Sequence, residues 1–280
     1  MLKAILGGRT WFYGLLPNLE IMSNPILIVA VYLGACLIGY LLGSVNTAIL
    51  VSKLMYGEDI RTKGSGNAGM TNVMRTYGKG PAAITFVGDL LKTLIAMTIG
   101  TLLFGQNCAY LAGMFAIMGH IAPVYYKFKG GKGVSSTAMF LLYADPLAFL
   151  VVFTIFVIIV KGIKYLSLGS IISAFIFPYI VYSFENAKLA SFVEANPDVP
   201  LAEIPYMDLR FLRLAIMLFI SFTIIFMHRA NIKRLANGTE SKFSFKKTQK
   251  PTKGGAAQEN GTKTDGTEKR SLHNIDKDGD

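Results

Sequence analysis

The sequence predicts an all-α, polytopic integral membrane protein of about seven transmembrane helices, some of them short, with glycine-rich loops gathered on its cytoplasmic face. Three observations carry that expectation. Hydrophobic residues make up 52% of the 280 positions and charged residues 16%, and the mean hydropathy of +0.45 belongs to a membrane protein rather than to a soluble core. Uncharged runs recur that are long enough to cross a hydrocarbon layer, which takes roughly 20 apolar residues. The basic residues behind the net charge of +11 lie between and after these runs, where the positive-inside rule accounts for them, so nucleic acid is excluded as a partner.

Residues 1–24 carry Lys3, Arg9, Glu20 and the patch Trp11-Phe12-Tyr13, which suits an extension lying at the membrane interface. Met22 is an alternative start, and no apolar stretch followed by a small-residue cleavage site marks a removed leader. Residues 25–243 form the membrane-embedded domain. Its first span runs from Pro25 to about Ser52 without a charge, and near its far end stand Gly43-Ser44-Val45-Asn46.

Asp59-Ile-Arg-Thr-Lys-Gly-Ser-Gly-Asn-Ala-Gly-Met-Thr-Asn72 is too polar for its oily surroundings. Gly64, Gly66 and Gly69 admit positive φ, so successive N–H groups can curl into a concavity for an anion. Arg61 and Lys63 supply cations, and Ser65, Asn67, Thr71 and Asn72 add neutral donors. Phosphate is the expected guest; an ordinary Gly/Asn/Ser turn between helices is the alternative.

A second span, from Gly80-Pro81 to Phe104, is interrupted by Asp89 and Lys92, three apart and so on one helix face, where they pair or brace the loop from behind. Gly105-Gln106-Asn107 reads as a turn, and a third span runs from Cys108 to about Tyr126. It ends in Gly119-His120, Pro123 and Lys129-Gly130-Gly131-Lys132-Gly133, with a helix opening at Val134. Glycines, lysines and a helix N-terminus in one place predict a second anion site. It is no Walker loop: Tyr126 stands where the first glycine belongs, and Gly133 follows Lys132 where Ser or Thr is required.

Residues 134–160 make one long helix or two short ones broken at Asp145-Pro146. The charges favour the break, because only then do residues 53–79, 127–132, Lys161 to Lys164 and everything from Arg229 share one side. A sixth span follows Tyr165-Leu-Ser167 and ends near Phe184; residues 185–210 form an acidic outer loop with Glu185, Glu194, Asp198, Glu203 and Asp208. The seventh, Phe211 to Met227, delivers His228, Asn231 and, further on, Glu240 to the basic side. Residues 244–280 are a disordered basic and polar cytoplasmic tail, and Cys36 and Cys108 read as packing residues without metal-like spacing.

Both glycine loops and His228 to Asn231 thus emerge on one face, an arrangement suited to an enzyme acting on phosphorylated substrates, one of them lipid-like. Over about residues 26–242 the chain resembles the bacterial acyl-phosphate:glycerol-3-phosphate acyltransferases of the PlsY type. The resemblance rests on three motifs: Gly43-Ser44 with Asp59-Ile-Arg61 and Gly64 to Asn72; Gly119-His120, Pro123 and Lys129 to Gly133; His228-Arg-Ala-Asn231-Ile through Glu240. It departs where the family commonly has Pro (here Asn46), Ala (Met70) and Gly (Thr93).

The resemblance implies that Ser44 and Arg61 are essential to catalysis. It implies that the Lys129 to Gly133 loop binds glycerol 3-phosphate, that His228 and Asn231 serve activity, and that Glu240 is more structural. The implied reaction moves a fatty acyl group from acyl phosphate to the 1-hydroxyl of glycerol 3-phosphate, giving lysophosphatidic acid and phosphate, the first acylation of bacterial phospholipid synthesis. Neither a cofactor nor a metal is implied. The implied partners are these substrates, membrane lipids and a soluble enzyme that makes acyl phosphate; the implied location is the bacterial plasma membrane with the site facing the cytoplasm. Either His228 or the donor's own phosphate takes the hydroxyl proton, His228 and Ser167 positioning it in the latter case. A membrane carrier of organic phosphate is the alternative, and it would place its polar groups near the midplane.

Overall fold

The computed structural model describes residues 24–198 and 210–242, and every described regular element is helical. The N-terminal extension, residues 199–209 with Glu203 and Asp208, and the tail from residue 243 lie outside the described residues.

Helix α1 (Pro25–Ser44) starts where the Asn24 side chain accepts the Ile26 N–H and Pro25 occupies the first turn. One side presents Ile26, Val29, Leu33 and Leu37 outward, as a lipid-facing surface does. The other side is a seam of Ala35, Gly39 and Gly43, four residues apart. In a membrane such small residues let backbones approach closely where hydrophobicity alone gives no drive. The expected run to Ser52 breaks earlier: Val45 and Asn46 are extended, and the Asn46 side chain caps a new helix, α2 (Thr47–Tyr56), by accepting the Ile49 N–H at 3.1 Å.

After a 3₁₀ turn at Ile60–Thr62 and helix α3 (Met70–Tyr77) comes α4 (Lys79–Ile121). Residues Phe104 and Gly105 leave helical geometry, Gly105 at φ +71°, and α4 doubles back on itself there. A Cβ on Gly100 would lie 2.7 Å from the Ala109 Cα, and one on Gly113 would press on Met97, so the arms 79–103 and 106–121 are antiparallel neighbours. The turn thus comes one residue earlier than the sequence suggests, and Gln106 and Asn107 already belong to the returning arm. That arm takes the seam of α1: a Cβ on Gly39 would sit 2.3 Å from Ala112 O, and one on Gly43 would collide with Ala116 O.

Helix α5 (Val134–Ala144) has 11 residues and so spans about 16 Å, half of a hydrocarbon core. Helix α6 (Pro146–Ile163) begins at the expected break, where the Asp145 carboxylate caps the Leu147 and Ala148 N–H groups. Helix α7 (Leu166–Ala195) is longer than expected. The acidic stretch read as loop from residue 185 stays helical to Ala195 because Glu185 turns inward, its Oε1 accepting from the Tyr110 hydroxyl at 3.0 Å. Helices α8 (Arg210–Met227) and α9 (Arg229–Ala236) complete the chain. Among the described residues five helices are long and apolar enough to cross a membrane, α4 among them. The protein is a multi-pass membrane protein.

The bundle packs around Tyr110, Phe140, Phe177, Met217 and Ile220, all fully buried. Its two ends differ. At one, Gln106 pairs with Arg213 (2.9 Å), and Asp145 with Lys188 (2.6 Å), near the inward-turned Glu185. At the other stand Ser44, both glycine loops, Ser167 and His228.

Candidate active site

The segment Pro123 to Gly133 is the hub to which the other parts attach. Gly130 and Gly131 run back along the end of α4, their N–H groups donating to Ile121 O and His120 O, each at 3.1 Å. A Cβ on Gly130 would lie 2.1 Å from His120 O, and one on Gly131 would lie 2.1 Å from His120 Nε2 and 2.7 Å from Ala68 O. The sequence suggests that these glycines bare their N–H groups to phosphate. In the structure their N–H groups are engaged with the protein, and the missing Cβ atoms let the two glycine loops touch. The donors left over are those of the first turn of α5: its first ladder bond is Thr137 N–H to Gly133 O at 2.8 Å, which leaves the N–H groups of Val134, Ser135 and Ser136 outside the helix's own ladder.

Lys132 leads into a knot of polar side chains. Its Nζ donates to Asn231 Oδ1; Asn231 Nδ2 and Ser167 Oγ both donate to Glu240 Oε1 at 2.7 Å; and Arg234 Nε donates to Glu240 Oε2 at 2.6 Å. The start of α7, helix α9 and the segment after it therefore converge on one loop lysine. Burial lowers the Lys132 ammonium to a pKa of about 8, with Arg234 and Arg75 adding repulsion against the pull of Glu240. Burial also pushes the Glu240 carboxyl up, but the hydrogen bonds from Ser167, Asn231 and Arg234 outweigh it and hold the group below its ordinary value.

His228 ends α8 and is 3% exposed. Its Nδ1 sits 2.8 Å from Ile224 O and so carries the proton, leaving Nε2 as a free acceptor. Burial pushes it down to about 4, the bond to Ile224 opposing and Lys132 assisting, so the ring is neutral at ordinary pH.

Ser44 and Arg61 reach the same segment from the opposite side. Ser44 is fully buried and its Oγ accepts the Val124 N–H at 3.3 Å. Arg61 grips Asp59 with two arms (Nε–Oδ1 3.0 Å, Nη2–Oδ2 2.7 Å), and its Nη1 donates to Tyr126 O at 2.8 Å and Lys129 O at 3.1 Å. The clamp encloses Lys127 and Phe128, two non-glycine residues at φ +57°, a conformation that costs roughly 1 kcal/mol or more per residue. The hydrogen bonds from Arg61 hold the Asp59 carboxyl below its ordinary range.

The first glycine loop is wound around a buried side chain. Asn72 Oδ1 accepts Ser65 N–H at 2.9 Å, and Asn72 Nδ2 faces Ile60 O, Lys63 O and Asn67 O at 3.0 to 3.2 Å. Gly66 and Gly69 N–H bond Lys63 O and Asn67 O. Gly64 and Gly66 have positive φ as expected, but Gly69 does not. The expected row of free donors is thus largely closed on itself: Asn72 organises the loop from within, Thr71 is half-buried at the start of α3, and Gly64, Ser65 and Gly66 form an exposed tip.

Behind both loops, Asp89, Lys92 and His120 are buried together. Lys92 Nζ lies 3.0 Å from Asp89 Oδ1, 2.9 Å from His120 Nδ1 and 3.1 Å from Val45 O. The residues that depart from the family pattern fit locally: Asn46 caps α2, Thr93 Oγ1 donates to Asp89 O at 3.2 Å, and Met70 opens α3. The sequence places Asp59 in the first motif without a role, which the structure supplies as the partner of Arg61; Arg234 has no part in the sequence reading of the site, because it joins Glu240 across a turn with no periodic signal.

A family model described as "Glycerol-3-phosphate acyltransferase" matches residues 33–238. The chain is 37% identical over 226 residues to a glycerol-3-phosphate acyltransferase of Clostridioides difficile, covering 77% of this chain and 97% of that protein. To one of Syntrophotalea carbinolica it is 39% identical over 211 residues, covering 74% and 95%. Among solved structures it is similar to PlsY (YgiH), described as an integral membrane glycerol 3-phosphate acyltransferase. The glycerol 3-phosphate form gives a TM-score of 0.61 at 31% identity, covering 76% of this chain and 96% of that one; the lysophosphatidic acid form gives 0.59 at 29%.

Proposed function

Because the chain belongs to the glycerol-3-phosphate acyltransferase family, we propose that it transfers a fatty acyl group from acyl phosphate to the 1-hydroxyl of glycerol 3-phosphate at the end of the bundle that carries Ser44, Arg61, Lys132 and His228. The observation that carries the reading is the convergence on the Pro123 to Gly133 segment. It holds a partly buried cation, Lys132, beside the first turn of α5, whose N–H groups lie outside the helix's own ladder, and a neutral His228 with its Nε2 lone pair available stands near that cation. Lys132 and the first-turn N–H groups of α5 neutralise and orient phosphate oxygens, with Lys129, Ser65, Thr71 and Asn67 at the rim. Ser44 and Arg61 hold the loop that does so.

In the reaction the glycerol oxygen attacks the acyl carbon, the bond from that carbon to the phosphate oxygen breaks, and the hydroxyl proton ends on the departing phosphate. An acyl phosphate is already activated, so orientation and charge neutralisation are what the protein supplies. His228 at a pKa of about 4 is a weaker base than a phosphate dianion, whose second pKa is about 6, so the attacking hydroxyl gives its proton to the phosphate and His228 Nε2 orients the glycerol by accepting from its neighbouring 2-hydroxyl. Ser167, Asn231 and Glu240 keep Lys132 in place. The basic residues around this end support a cytoplasmic orientation in a bacterial plasma membrane.

The test uses the full chain in vesicles, given acyl phosphate and labelled glycerol 3-phosphate. The expected products are lysophosphatidic acid and inorganic phosphate in equal amounts, with sequential kinetics and no acyl group on any residue by mass spectrometry. Label accumulating inside vesicles without acylation identifies a carrier instead, and turnover only with an acyl thioester rejects the acyl phosphate donor.

A further inference from the structure

We propose that Asp89, Lys92 and His120 form a positioning device that fixes the backbone break after Ser44 against the Lys129 to Gly133 loop, a role that rests on the acyl-transfer reading and deepens it. An ammonium has three donors and no acceptor. Lys92 donates to Val45 O at 3.1 Å, meets His120 Nδ1 at 2.9 Å and forms an ion pair with Asp89 Oδ1 at 3.0 Å. Val45 is the extended residue between Ser44 and Asn46, and the other two partners stand on opposite arms of α4. One charged nitrogen therefore joins the three backbones that bear on Ser44.

His120 carries the link onward. Its Nδ1 faces Lys92 Nζ at 2.9 Å and Asp89 Oδ1 at 3.3 Å, which leaves Nε2 on the far edge of the ring. That nitrogen abuts Gly131, while His120 O accepts the Gly131 N–H at 3.1 Å. The loop glycine is thus held by both the side chain and the backbone of one residue. Thr47 Oγ1 donates to Asp89 Oδ1 at 3.1 Å, which ties the first residue of α2 to the same carboxylate. The three side chains are only 1%, 6% and 3% exposed, so they act through Ser44 and Gly131 and not on substrate.

Charges this deep in a membrane protein are costly, and an apolar trio of similar volume would hold the helices together at least as well. What the apolar trio lacks is direction. Two hydrogen bonds and an ion pair at one nitrogen define a distance between Ser44 and the loop that dispersion contacts leave loose.

The test compares the full chain in nanodiscs with the double variant Asp89→Asn/Lys92→Met, which removes both charges and leaves no lone buried ion. Amides of residues 122–133 are expected to exchange hydrogen at least tenfold faster than in the parent, with those of α8 unchanged. This readout needs no turnover, so it decides the positioning role even if the parent makes no lysophosphatidic acid, an outcome that would sink the acyl-transfer reading alone. In an active parent, kcat is expected to fall about a hundredfold, the effect of a misplacement of about 1 Å. Added to Ser44→Ala, the double variant is expected to cost less than a further threefold, since both act at one place. Should the double variant not fold, the pair His120→Ala and His120→Asn replaces it: Asn restores an oxygen near the Nδ1 position and is expected to recover at least tenfold of the kcat that Ala loses. Unchanged exchange, losses that multiply with Ser44→Ala, or no recovery by Asn would each overturn the proposal.

Discussion

Lys132 shows how much of a site lies in the surroundings of one residue. An exposed lysine carries its proton to about pH 10, but burial and the nearby Arg234 and Arg75 bring this one to about 8. Because its folded value is lowered, the ammonium is charged below pH 8 and lost above it. If it holds substrate phosphate, kcat/KM for glycerol 3-phosphate, which reports the free enzyme, falls tenfold per unit above about pH 8. In Lys132→Arg the same limb is expected to disappear from the measured range, because guanidinium does not titrate there. A parent profile flat to pH 9.5 would remove Lys132 from phosphate binding. The residue types of this candidate site stand out in the sequence, since Lys, Gly, His and Asn gathered in loops between apolar runs are out of keeping with their surroundings. Their engagements do not. That Asn72 points inward and that Gly131 exists for a close approach depends on residues distant in the chain, Ala68 and His120 among them.

At the scale of elements, the seam between α1 and the returning arm of α4 sets where Ser44 ends up. Two glycines of α1 separate its contribution from helix propensity. Gly34 has nothing within 4 Å of where a Cβ would stand, whereas Gly39 would place one 2.3 Å from Ala112 O. Gly34→Ala is expected to leave the protein unchanged or stabilise it by up to about 1 kcal/mol, the usual helix preference for Ala. Gly39→Ala is expected to destabilise it by roughly 1–3 kcal/mol through overpacking and to lower activity with it. Thermal unfolding in detergent with turnover of the folded fraction measures both; equal melting of the two variants would mean the seam is not a close contact. The spans themselves could be read from hydropathy, but their ends could not. α1 stops at Ser44 because Asn46 caps α2, and α7 runs to Ala195 because Glu185 has an interior partner, neither of which a hydropathy window registers.

For the whole molecule, orientation in the membrane is the property that charge alone foretells. The lysine and arginine distribution called for a break at Asp145-Pro146, and α5 and α6 do part there, with Asp145 held by Lys188 at the end away from Ser44. α6 then returns the chain to the site end, where Lys164 is exposed one helix start before Ser167. Asp198, past the end of α7, is exposed as well, and α7 has by then traversed the bundle from Ser167 past Glu185. These two positions are therefore expected on opposite sides of the membrane. In a background with Cys36 and Cys108, both buried, replaced by Ala, Lys164→Cys is expected to react with a membrane-impermeant thiol reagent only after the cells are opened. Asp198→Cys is expected to react in intact cells. Labelling of both from one side would mean that α7 does not cross. Labelling of Lys164→Cys from outside and Asp198→Cys from inside would invert the protein, put the loop of Lys129 to Gly133 outside the cell, and deny it any phosphorylated substrate made within.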